Sequence, residues 1–160
     1  MPPLNDHETE RIEALFTALT FAIEREFFGL PIQGLTNNEI REIQADQGVE
    51  TLPAYYWEFL RRMGRCAGKL LIGTDAFYPA LLGMKRDVLE LLRENAASQL
   101  IDDKAVVIGM HQGYQAYWLE TAHEDNPQVY LYQEGCSGFL KNWPSFSAFL
   151  LDQSKRDLAQ

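Results

Sequence analysis

The sequence predicts an α+β fold in which N-terminal helices pack on a mainly antiparallel sheet of about four to six strands, followed by a C-terminal helix. Three observations carry this prediction. Apolar residues recur at helical spacing as far as Met63, β-branched and aromatic runs gather between Ala105 and Gln133, and Phe146, Phe149 and Leu150 restore the helical period near the end.

The first helix opens with Asn5 or Asp6 as N-cap and places Ile12, Leu15, Phe16, Leu19, Ile23 and Phe27 on one face. It is expected to end near Gly29, with Pro31 behind it. Thr36-Asn37-Asn38-Glu39 has the form of a capping box, in which the Thr hydroxyl and the Glu carboxylate satisfy each other's free amides, so a second helix should cover 37–47. Gly48 suits a left-handed cap, and Pro53, near the first turn, restarts the pattern in a third helix over 54–63, with Tyr56, Phe59, Leu60 and Met63 on one face.

Leu70-Leu71-Ile72 reads as a short strand, and 87–95, with Val88, Leu91 and Leu92, as another helix; the stretch 76–83 carries no clear period. Strands over 105–108 and 114–119 flank Gly109-Met110-His111-Gln112-Gly113, which looks like a hairpin connection, and a further strand over 129–133 follows a polar loop. Ser145 caps the last helix through Phe146, Phe149 and Leu150, leaving 152–160 as a polar tail that frays. With neither internal repeat nor low-complexity linker, residues 1–160 read as a single domain in which 1–33 form a helical extension.

Composition narrows the function. The net charge of −9 argues against direct nucleic-acid binding, because phosphate contacts need clustered Lys and Arg. Within 99–140, Asp102, Asp103, Glu120, Glu124, Asp125 and Glu134 face Lys104 alone, which favours a basic protein partner. No apolar run approaches the ~20 residues of a membrane span, and the first residues lack the order of a signal peptide, so a cytoplasmic protein without membrane contact is expected. Cys66 and Cys136 have no C-x-x-C spacing and read as free thiols.

Catalytic signatures are missing. Gly135-Cys136-Ser137-Gly138 lacks the spacing of a nucleophile elbow, and neither a Walker motif nor a dinucleotide fingerprint is present. His111 and His123 lack the i,i+4 spacing of a zinc helix, and no oriented acid pairs with either. The expectation is therefore no enzyme, no cofactor and no metal. In Val129-Tyr130-Leu131-Tyr132 the period of two sets Val129 and Leu131 against the helices and turns Tyr130 and Tyr132 outward, with Tyr117 joining them on the outer face. Tyrosines so placed supply contact area at low entropy cost. The candidate binding residues are Glu120, Glu124, Asp125, Tyr130, Tyr132 and Glu134.

The run Gly48-Val49-Glu50-Thr51-Leu52-Pro53-Ala54-Tyr55-Tyr56-Trp57-Glu58-Phe59-Leu60, preceded by the capped helix at Leu35-Thr36-Asn37-Asn38-Glu39-Ile40, resembles the start of the SUKH superfamily, relatives of fungal Smi/Knr cell-wall regulators. Val107-Ile108-Gly109, then Gly113-Tyr114 with Tyr117-Trp118, then Pro127 to Tyr132 with Glu134-Gly135, and a closing Phe146 and Phe149 follow in the family's order, so the resemblance covers roughly 34–151. The chain departs from the pattern in Met63-Gly64-Arg65, where an Asn-Gly-Gly-like turn is usual, in an extra residue before Leu52-Pro53, and in its long first helix.

The resemblance implies a mixed α/β fold, no catalytic residues, and a role as a bacterial immunity protein that binds and neutralises a cognate toxin, often a nuclease. A basic nuclease would meet the acidic region, and a monomer is the favoured state. Two other readings stay open: a non-enzymatic regulatory module or scaffold of the same fold, as the fungal relatives imply, and an enzyme or small-ligand binder built on His111, His123 and their acidic neighbours.

Overall fold

The computed structural model describes residues 3–26 and 30–158. Helix α1 (Asp6–Arg25) is capped by Asn5, whose Oδ1 accepts from the Glu8 N–H at 2.8 Å, and its acidic start and basic end complement the helix dipole. Ile12, Phe16, Leu19 and Ile23 are buried, as the spacing requires, while Phe27 and the expected stop at Gly29 lie outside the described residues. The capping box forms: Thr36 Oγ1 accepts from the Glu39 N–H at 3.2 Å, and Glu39 Oε1 accepts from the Thr36 N–H at 3.0 Å. It opens α2 (Asn37–Gln47), and Pro53 precedes α3 (Ala54–Met63), both as expected.

The expected strand at Leu70-Leu71-Ile72 is absent. Gly68 and Gly73 take φ values of 57° and 84°, Leu71 itself sits at 59°, and the segment coils through successive bonds from Leu70, Ile72 and Thr74 to the carbonyls three residues back. Leu70 and Leu71 still enter the core, and the Leu71 N–H donates to Asp157 at 2.8 Å. The pairing occurs a few residues earlier, where β1 (Ile32–Gln33) meets β2 (Cys66–Ala67) antiparallel. Helix α4 (Met84–Glu94) starts three residues before the expected Asp87, and a short 3-10 turn, Ser98–Leu100, follows it.

Four strands form an antiparallel sheet in sequence order: β3 (Val106–His111), β4 (Gln115–Leu119), β5 (Val129–Gln133) and β6 (Lys141–Trp143). The β3–β4 connection is tighter than the five residues expected. Gly109, Met110 and His111 belong to the strand, and Gln112, Gly113 and Tyr114 connect it to β4; Gln112 and Gly113 turn the chain with φ of 53° and 77°, and the Tyr114 N–H closes the turn on the His111 carbonyl at 3.3 Å. Both central residues of such a turn need positive φ, which glycine supplies without strain.

Helix α5 (Phe146–Leu158) begins as expected, with Ser145 Oγ accepting from the Ala148 N–H at 3.1 Å. The expected frayed tail is instead helical through Leu158, because Leu158 is buried and Asp157 binds the Leu71 amide.

The core has two different halves. Leu119, Tyr117, Val129, Leu131 and Trp143 share one sheet face by register, and the rings of Tyr117 and Trp143 lie 5.6 Å and 5.0 Å from that of Phe149 on α5. Phe146 continues the cluster onto Tyr56 and Phe59 of α3, and α1 packs on α3 and α5.

The opposite face carries Ala116, Trp118, Tyr130 and Tyr132, and α4 runs along β3 on the α2 side. Polar hooks fasten this side. Gln47 exchanges two hydrogen bonds with the Val107 backbone, at 2.8 and 3.0 Å, where β3 bulges. Buried Lys85 donates to the carbonyls of Gln47, Asp103 and Ala105 at 2.7–3.0 Å, and desolvation lowers its pKa.

Candidate functional site

The register of β4 and β5 decides where each candidate residue lies. Tyr117 faces Leu131, so it shares the helix-covered face with Val129 and Leu131 instead of joining Tyr130 on the other. Tyr132 does share a face with Tyr130, but that face is covered too. Tyr132 is 0% exposed and lies 6.5 Å from the Trp118 ring. The expectation that Tyr132 and Tyr117 line an exposed surface is therefore corrected. An antiparallel sheet often leaves one face to water, and here helices cover one face while α4, the 3-10 turn and Phe139 cover the other.

Tyr130 stays half-exposed at the rim of this second cover. Its ring stacks on Phe139, with centroids 4.2 Å apart and planes 16° from parallel, and its hydroxyl donates to Glu120 Oε1 at 3.2 Å. Burial, then the Glu120 and Glu124 carboxylates, push the Tyr130 pKa above the ordinary tyrosine value. Around the pair opens a cleft of about 190 Å³, lined by Gln99, Leu100, Ile101, Asp102, Trp118, Glu120, Tyr130 and Phe139. Two carboxylates and no cation belong to this lining. Phe139, which lines this acidic cleft, is 39% exposed, and Leu140, next in sequence, is 50% exposed.

Glu124 and Asp125 stand on the adjacent loop, which is held on several sides. The Ala122 N–H donates to the Lys104 carbonyl at 2.8 Å, and the Asp125 carbonyl accepts from the Tyr55 N–H at 3.0 Å. Asn126 exchanges hydrogen bonds with the Ser147 hydroxyl and amide at 2.9 and 3.0 Å. The backbone is thus fixed by α3, α5 and the segment before β3, while the Glu124 and Asp125 side chains are exposed. Glu134 lies apart. Its N–H donates to the Tyr114 carbonyl at the opposite end of β5 from the Glu120–Gln128 backbone pair, six residues or roughly 20 Å along the strand. The structure thus gathers Glu120, Glu124, Asp125 and Tyr130 at one end of the sheet and leaves Glu134 at the other.

The cleft itself was not legible as a site. Leu100, Ile101, Trp118 and Phe139 carry no motif; the available signal was Phe139-Leu140, two consecutive apolar residues outside any periodic run, close to the acidic stretch.

Elsewhere the chemistry is sparse. His111 sits at the hairpin, 6.2 Å from the Tyr114 ring, whereas His123 follows the far end of β4, so the strand separates the two imidazoles. No group of three or more metal-ligating side chains occurs among the described residues. The enclosed cavity between α3, α5 and the sheet, lined by Tyr56, Phe59, Leu71 and Phe149, measures about 10 Å³, room for one water at most. Cys66 and Cys136 are free thiols, and no helix among the described residues is long and apolar enough to cross a membrane.

Among curated proteins, no match to the sequence is found. The model of the SMI1 / KNR4 family (SUKH-1) matches residues 34–152, from just before α2 into α5. That segment contains the sheet, the cleft and the pinned acidic loop, and leaves α1 ahead of it. The match spans well over half of the chain and agrees with the order of motifs from the Thr36 capping box to Phe149, so the protein belongs to the SMI1 / KNR4 family (SUKH-1).

Proposed function

We propose that this protein is an immunity protein that binds a cognate bacterial toxin and neutralises it, a basic nuclease being the class its charge fits best. Family membership supports a protein-binding role. The observation that carries the reading further is the exposed acid on a fixed loop, with Glu124 and Asp125 next to Glu120 and Tyr130. A backbone held in place before the encounter loses little freedom on binding, and clustered charge raises the association rate for an oppositely charged partner. Glu134 serves as an outlying contact, and Tyr132 acts from inside as a support for Trp118. The protein works as a cytoplasmic monomer whose 160 residues form one domain, with α1 as an extension braced on α3 and α5.

The test is co-expression with the product of the adjacent open reading frame, scoring rescue from toxicity, followed by stopped-flow association with that protein at graded salt. Reversing both charges, Glu124→Lys with Asp125→Lys, should slow association at low salt by about tenfold or more and flatten its ionic-strength dependence. An unchanged rate and an unchanged slope would sink the electrostatic part of the proposal.

A further inference from the structure

We infer that the cleft between the 3-10 turn and Phe139 is the seat of a single arginine side chain of the protein partner. The inference rests on the protein-binding reading above and adds the chemistry of its central contact. Size comes first: at about 190 Å³ the cleft is smaller than the pockets of roughly 300 Å³ and more that enclose small molecules, and suits one long side chain. Charge comes next. Glu120 and Asp102 line the cleft without a cation, so an apolar occupant would strip water from two carboxylates and return nothing to them. Each acid already spends one oxygen inside the protein, Glu120 Oε1 on the Tyr130 hydroxyl and Asp102 Oδ1 on the Lys104 N–H, which fixes both carboxylates in position.

Shape separates arginine from lysine. Leu100, Ile101 and the Tyr130–Phe139 stack wall the cleft, with Trp118, 1% exposed, beneath them, and a planar, weakly hydrated guanidinium stacks on such walls while its edge donates to carboxylates. An ammonium is a compact, strongly hydrated point charge and gains less from such walls. Phe139 at 39% exposure supplies apolar surface that an incoming side chain covers, in the manner of a buried anchor within a polar rim.

The experiment uses the full chain, ¹⁵N-labelled, and follows the indole N–H signals of Trp57, Trp118 and Trp143 while blocked Gly-Arg-Gly, Gly-Lys-Gly or Gly-Gln-Gly peptide is added. The Trp118 signal should move saturably with the arginine peptide and the other two should stay. The lysine peptide should bind at least about fivefold more weakly, since it lacks the stacking plane. Glu120→Gln, which preserves the side-chain shape, and Phe139→Ala should each weaken capture by about tenfold. A Trp118 signal that ignores the arginine peptide, follows the glutamine peptide equally, or responds unchanged in both variants overturns the inference.

Co-expression distinguishes this failure from failure of the immunity reading. Neutralisation that survives the combined Glu120→Gln and Phe139→Ala change overturns the arginine seat and leaves the immunity role standing. Arginine capture at the cleft without any neutralisation overturns the immunity role and leaves the seat.

Discussion

On one face of the four-stranded sheet Tyr117 and Trp143 meet Phe149 ring against ring, while on the other the cover is fastened by Gln47 and Lys85 hydrogen bonds and ends in the half-exposed Tyr130–Phe139 stack. Interlocked rings fill the space between α5 and the sheet, leaving a cavity of only about 10 Å³. Polar hooks hold at points and demand matching partners, so α4 can be fixed against β3 while an opening persists farther along the same face. The sheet thus separates a face that supplies stability from one that supplies both attachment and a recess.

The largest expected effect tests the filled face. Phe149→Ala removes the ring common to Tyr117, Trp143 and Phe146 and should cost about 3–5 kcal/mol in urea unfolding. A loss below about 1 kcal/mol would break the contrast, because it would mean that the cluster collapses around the gap.

The next effect tests the hooks. Gln47→Leu keeps much of the side-chain volume but orphans the buried Val107 N–H and C=O, so a loss of about 2–4 kcal/mol is expected by the same measurement. A neutral substitution would show that attachment on this face is apolar after all.

The smallest effect belongs to the rim. Phe139→Ala should change stability by only about 1 kcal/mol, as the ring is more than a third exposed. A loss comparable to that of Phe149→Ala would make Phe139 a core residue and remove the distinction between cover and recess.

What the sequence reveals follows the range of the forces involved. The starts of α2, α3 and α5 are legible because Thr36-Glu39, Pro53 and Ser145 act within one turn of themselves. Strand β5 is legible because Val129-Tyr130-Leu131-Tyr132 alternates, yet the alternation says only that two faces differ, not that either is wet. Tyr132 is hidden by packing from other parts of the chain, the Trp118 ring among them, that no local pattern encodes.

Leu70-Leu71-Ile72 misleads for the same reason: its composition suits a strand, but flanking left-handed glycines and an amide partner on α5 decide otherwise. Strand β6, with Trp143 as its one buried residue, has too little pattern to announce itself. The acid was legible as a stretch of sequence, and folding divides it by placing Glu134 at the far end of β5.

Tyr55 joins parts of the chain that are distant in sequence. Its hydroxyl donates to Glu8 Oε2 on α1 at 3.1 Å, while its backbone amide donates to the Asp125 carbonyl in the acidic loop. Amide hydrogen exchange at this one residue therefore clocks the loop's undocking: the proton leaves only when the Asp125 carbonyl lets go. A bound partner that grips the loop would lengthen that interval, and a partner that seats elsewhere would leave it untouched, so one resonance reports from within the protein where its surface has been occupied.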